Sequence, residues 1–131
     1  MAATIDAELI LCENKETAAS VTSSVLDLGR NKVLKPLYVD VKLTQGVTAG
    51  RVKSGELQTS ADEAFTTPIS EMTVTIGKTA EQQKCACQLA QFFAAIQPQG
   101  RYVRLIITGD TVVPAGGKIW AYLSPDIQVP V

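Results

Sequence analysis

The sequence predicts an all-β fold, an antiparallel sandwich or barrel, and three observations carry that expectation. Leu37 to Leu43, LYVDVKL, alternates strictly, with Leu37, Val39, Val41 and Leu43 on one face and Tyr38, Asp40 and Lys42 on the other. Glu71 to Gly77, EMTVTIG, repeats the device, with Met72, Val74 and Ile76 facing in and Thr73 and Thr75 facing out. Runs of this kind recur along the chain, separated by turn residues and not by the long helical segments of βαβ units.

Taken in order, the predicted strands are Ala7 to Cys12, Ser23 to Gly29 (SSVLDLG), Leu37 to Leu43, Arg51 to Ser60 (RVKSGELQTS), Glu71 to Gly77, Arg101 to Thr108 and Lys118 to Leu123. Gly55 marks a bulge in the fourth, because an isolated glycine weakens a regular strand. SADEAFTTP, Ser60 to Pro68, reads as a turn, where Ser and Asp supply local hydrogen bonds and Pro fixes φ. GDTVVPAGG, Gly109 to Gly117, reads as a long hairpin loop and not a phosphate loop, since a strand follows it; a loop of this length can serve docking.

The segment TAEQQKCACQLAQFFAAI, Thr79 to Ile96, departs from this pattern. Thr79 stands as N-cap with Gln82 at the capping-box position, and Leu89, Phe92, Phe93 and Ile96 follow at i, i+3, i+4 and i+7. Local signals therefore predict one short helix around residues 80–96, stopped by Pro98 and Gly100. No linker divides the chain, so residues 1–131 read as one sandwich domain with extended N-terminal and C-terminal arms. Pro125 and Pro130 bar the last segment from a central strand.

At 131 residues one core suffices. With 46% apolar and 19% charged residues, the chain has neither the low hydrophobicity of disorder nor the long apolar run of a membrane span. The start, MAATIDAELILCENK, does not read as a secretory signal, and folding in a cytoplasm is expected. Twelve basic and thirteen acidic residues are interleaved for a net charge of −1, which leaves no basic stripe for nucleic acid.

Few residues suit catalysis. There is no histidine to activate a nucleophile. Ser54 and Lys53 are strand neighbours pointing to opposite faces, and Asp62 and Glu63 lie in a polar turn, where capping and solvation explain them. Cys12, Cys85 and Cys87 are an odd set that reads as thiols packed like small hydrophobes. A zinc site would need carboxylates to complete it, so no metal and no cofactor is expected.

If Arg101 to Thr108 pairs with Lys118 to Leu123 across the glycine-rich loop, Val103, Leu105 and Ile107 join Ile119, Ala121 and Leu123 on a core face. Tyr102, Arg104 and Ile106 then share the opposite face with Trp120 and Tyr122. Aromatics with arginine are enriched at protein interfaces, so Tyr102, Arg104, Trp120 and Tyr122 are the candidate interface residues. A loop or arm of the same chain could equally cover them, and Tyr102, Trp120 and Tyr122 could instead form a platform for sugar rings.

LQTSADEAFTTP, together with VLDLG, KPLYVDVKL, GRYVRLIITG and GKIWAYL, resembles the capsid cement, or decoration, proteins of tailed bacteriophages over about Ser23 to Leu123. The resemblance implies a small jelly roll that sits as a homotrimer on the exterior of the virion. It implies the major capsid protein as partner, clamped across neighbouring copies, and no catalytic residues. It also implies strand plus loop, not helix, for Lys84 to Ile96. A carbohydrate-binding jelly-roll module is the competing reading.

Overall fold

The structure, a computed structural model, describes residues 10–29, 35–96 and 100–124. The predicted strand segment 7–9 and the arms at 1–9 and 125–131 lie outside the described residues. Among the described residues nine strands form: β1 (Ile10–Glu16), β2 (Ser20–Thr22), β3 (Leu26–Asp27), β4 (Lys35–Gln45), β5 (Val52–Ser60), β6 (Ile69–Thr75), β7 (Cys87–Ile96), β8 (Tyr102–Gly109) and β9 (Lys118–Ser124). They make two antiparallel sheets, one in the order β1-β9-β4-β7 and one in the order β2-β8-β5-β6, with β3 also on β8. Apart from β5 to β6, and β2 to β3 along the same neighbour, every connection crosses from one sheet to the other. That is jelly-roll connectivity.

Alternation accounts for the packing of the two sheets. Val39, Val41 and Leu43 on β4, Leu57 on β5, Val103, Leu105 and Ile107 on β8, and Ile119, Ala121 and Leu123 on β9 are all buried in one core. β6 follows the pattern only in part. Met72, opposite Leu57, is 40% exposed and Val74 is half-buried, because β6 is a sheet edge; only Ile76 reaches the core. Gly55 is regularly paired with Ile107 and Val74, and the register shifts of β5 fall elsewhere, at Val52/Ser54 and Leu57/Gln58, so it marks no bulge. The predicted Ser60–Pro68 turn is present: Asp62 accepts from the Ser60 hydroxyl at 2.8 Å and the Thr66 hydroxyl at 2.7 Å. Those bonds hold its carboxyl below the usual range.

The glycine-rich stretch 109–117 is not a hairpin. It carries the chain from β8 in one sheet to β9 in the other, a connection a sequence pattern does not distinguish from a turn.

No helix spans residues 80–96. The capping box is real, since Gln82 N–H donates to Thr79 Oγ1 at 3.2 Å and Thr79 N–H to Gln82 Oε1 at 2.8 Å, but it opens only a 3₁₀ turn at Gln82–Lys84. The helix is interrupted because Gln83 is drawn into the core. Its side-chain carbonyl accepts from Val52 N–H at 2.7 Å, and its amide donates to Val52 O at 2.9 Å and Lys78 O at 3.0 Å. Gln83 is fully buried, and its own carbonyl takes Val47 N–H. β7 follows, and a bulge at Leu89 explains why its strand period is hard to see: Lys42 faces Gln88 while Val41 faces Ala90. Cys87 and Leu89 face the core before the bulge, and Phe92, Ala94 and Ile96 after it. The one-residue shift in phase converts a period of two into a pattern that imitates a helix.

Around Gln83 the loops are joined main chain to main chain. Thr17 N–H donates to Gly117 O, Gly109 N–H to Ala19 O, Thr48 N–H to Ala115 O and Ala115 N–H to Ala49 O, all within 3.1 Å. Gly50 has a φ of +68°, and a Cβ there would collide with the carbonyl oxygens of Val112 and Val113. Replacing Gln83 by leucine keeps the volume but leaves both main-chain groups of Val52 unpartnered. At ~1–3 kcal/mol for each of the two buried unsatisfied groups, Gln83→Leu is expected to lower unfolding free energy by about 2–6 kcal/mol in urea denaturation.

Candidate protein-interaction surfaces

The split of β8 and β9 between sheets corrects the expected aromatic face. Tyr102, Arg104 and Ile106 lie on the outer face of one sheet, and Trp120 and Tyr122 on the outer face of the other. They do not meet, and the sugar platform of Tyr102, Trp120 and Tyr122 is not assembled.

On the β8 side, Arg104 is held in place. Its Nε donates to Gln58 Oε1 at 2.9 Å, its guanidinium lies 4.2 Å from the centre of the Phe65 ring, and Gln58 donates onward to Glu56 at 2.7 Å. Tyr102 is half-buried beneath the Arg101 guanidinium at 5.0 Å, and Arg101 makes a two-pronged pair with Asp27, both bonds 2.8 Å.

On the β9 side, Asp40 and Tyr122 are buried although they point away from the core. The Tyr122 hydroxyl donates to Asp40 Oδ2 at 2.8 Å, Gln88 Nε2 donates to Asp40 Oδ1 at 2.9 Å, and Lys42 Nζ sits 5.5 Å from the Tyr122 ring centre. Trp120, half-buried, lies across from Lys42. Further along, the Tyr38 and Phe93 rings are 5.9 Å apart, and Phe93 is 58% exposed. Tyr122 is thus a sealed structural residue, and Phe93, whose local pattern is helical while the family resemblance implies strand plus loop, lies on β7 and is the open aromatic.

The third surface is the joined loop end. The stretches TQGVTAG (44–50) and TVVPAGG (111–117) contain no charged residue, and Val112 and Val113 are 63% and 48% exposed. Beside them is a shallow cleft of about 390 Å³ lined by Gly50, Arg51, Thr79, Ala80, Asp110, Thr111 and Val112. Its acidic group is committed to an ion pair: Arg51 Nε donates to Asp110 at 2.8 Å and holds its carboxyl below the usual range. Among the described residues no group of three His, Cys, Asp or Glu side chains could hold a metal ion. The two valines stand in plain view in the sequence, but only the crossing of the loop between sheets shows that they face outward.

No family model matches the sequence, and neither does any curated protein sequence.

The cysteines divide as well. Cys12 is buried and burial pushes its thiol up to about 11, Cys87 is half-buried with its thiol also raised, and Cys85 is exposed, contrary to the expectation that all three pack inside. A thiol reagent at neutral pH is expected to modify Cys85 first and Cys12 only on unfolding, as peptide mass mapping would show.

Burial, then the hydrogen bond and charge of Asp40, push the Tyr122 hydroxyl up to about 12. An unfolded tyrosine loses its proton near pH 10. The stability due to the protonated hydroxyl is therefore complete below pH 10 and is lost as pH rises toward about 12. The difference in unfolding free energy between the natural protein and Tyr122→Phe is expected to hold constant below pH 10 and to shrink between those two values.

Proposed function

We propose that this chain is a structural binding protein, a capsid cement that sits as a homotrimer on the exterior of a phage shell and clamps neighbouring copies of the major capsid protein. The observation that carries the reading is the loop end: two stretches without a charged residue, 44–50 and 111–117, with two exposed valines, Val112 and Val113, on loops that main-chain hydrogen bonds already hold in place. Contact cores are depleted of charge, and a surface ordered beforehand loses little entropy on binding. The stretches that resemble the cement proteins form β3, β4, the β5 to β6 turn, β8 and β9 of this sandwich. In this reading the loop end faces the shell.

The mechanism is mechanical. Each copy adds buried area across a seam between shell subunits, so separating them requires breaking the cement contacts as well. Three joined copies make the second and third contacts intramolecular, which turns modest single contacts into firm attachment. The protein would be made in the host cytoplasm and end in the virion.

Sizing of the purified protein followed by addition to expanded shells tests this. Bound density in groups of three and shells that rupture at higher temperature are expected; a monomer that leaves shells bare and no more heat-resistant overturns it. Val112→Asp with Val113→Asp, both exposed and so compatible with folding, removes about 2 kcal/mol or more of apolar burial. It is expected to weaken shell binding at least tenfold while thermal unfolding of the free protein is unchanged.

A further inference from the structure

Among the described residues the two open sheets have four edges, and three of them carry a feature that hinders further pairing. β1 slips register twice against β9, holds Asn14 at a φ of 51°, and presents Glu13, Lys15 and Glu16. β2 and β3 offer three and two residues. β6 is interrupted once against β5 and carries Glu71.

β7 is interrupted once, at Leu89, and beyond that bulge carries none of these protections. It is ten residues long without a charged side chain, and among the described residues it pairs only with β4. After the bulge at Leu89, Ala90 to Ile96 runs in unbroken register with β4, and the midpoint of that segment is Phe93, the most exposed aromatic among the described residues. We propose that β7 is a self-pairing edge, joined antiparallel to β7 of a second copy about a two-fold axis through Phe93.

The register follows from the faces. Gln91, Phe93 and Ala95 are on the outer side and Ala90, Phe92, Ala94 and Ile96 on the inner side, so a continuous sheet needs the axis to pass through a residue. Centred on Phe93, the whole regular segment overlaps: Gln91 meets the partner's Ala95, Phe92 the partner's Ala94, and Ala90 the partner's Ile96. The two Phe93 rings face each other, each already beside its own Tyr38, and no charge opposes a like charge. The occupant is a second copy because this strand is complementary to itself, as an isologous contact requires. A two-fold contact cannot close a trimer; on a shell it would link neighbouring trimers, and in solution it stands whether or not the shell reading holds.

Cross-linking of the full chain tests the register. In a Cys85→Ser, Cys87→Ser background, Phe93→Cys is compared with Met72→Cys at the β6 edge, using a short bifunctional maleimide and mapping the linked peptides. A covalent dimer linked at position 93, formed at least tenfold faster than any from position 72, is expected. In the natural sequence Phe93→Lys, a change at an exposed position, is expected to halve the particle mass in sedimentation. Phe93→Cys that stays monomeric, or links no faster than Met72→Cys, overturns the proposal. Loss or gain of shell binding does not bear on it.

Discussion

The arrangement of the surface depends on one buried amide. Gln83 leaves the 3₁₀ turn and satisfies both main-chain groups of Val52, much as a peptide group of a neighbouring strand would. Without it, the start of β5 would carry an unpaired donor and acceptor in the core, a cost a marginally stable domain of this size cannot easily absorb. With it, the segment before β7 is fixed against the β4 to β5 loop through Val47, and that loop is fixed against residues 111–117 through Thr48, Ala49 and Ala115. The exposed valines are therefore held by a chain of contacts that begins inside the molecule.

The jelly-roll crossing pattern sets what the surfaces can be. Because the chain changes sheets between β8 and β9, aromatic residues close in sequence are carried to opposite faces. What remains is a set of separate surfaces: a loop end with two uncharged stretches, an edge strand without charge, and two outer faces whose polar groups are largely engaged with one another. Asp40, held by Tyr122 and Gln88, and Arg104, held by Gln58 and Phe65, are turned inward to neighbours of the same chain. Stretches 44–50 and 111–117 and strand β7 stay open without a charged residue, a character that suits contact with other protein chains.

Much of this framework was legible in residue order. The alternation of LYVDVKL and GRYVRLIITG places Val39, Val41 and Leu43 of β4 and Val103, Leu105 and Ile107 of β8 in the core, the Leu37 side chain lying outside the described residues; the Asp62 turn forms where Ser, Asp and Pro cluster, and the Thr79–Gln82 capping box exists. The errors have physical causes. A bulge at Leu89 breaks the period of β7 and makes Phe92 and Phe93 resemble a helical stripe. The glycine-rich segment resembles a hairpin because turn chemistry is local, while the choice of sheet is decided by packing far away in sequence. Met72 alternates correctly yet stands at an edge, which no local pattern reveals.

The proposed clamp depends on surface buried between this chain and a shell. Hydrogen exchange of the backbone amides, compared between the free protein and the protein bound to expanded shells, tests this most directly. The account predicts slowed exchange concentrated at residues 44–50 and 111–117, with the core strands unchanged. Binding that leaves those loops exchanging as in the free protein, with protection confined to the outer face around Tyr102, would contradict it.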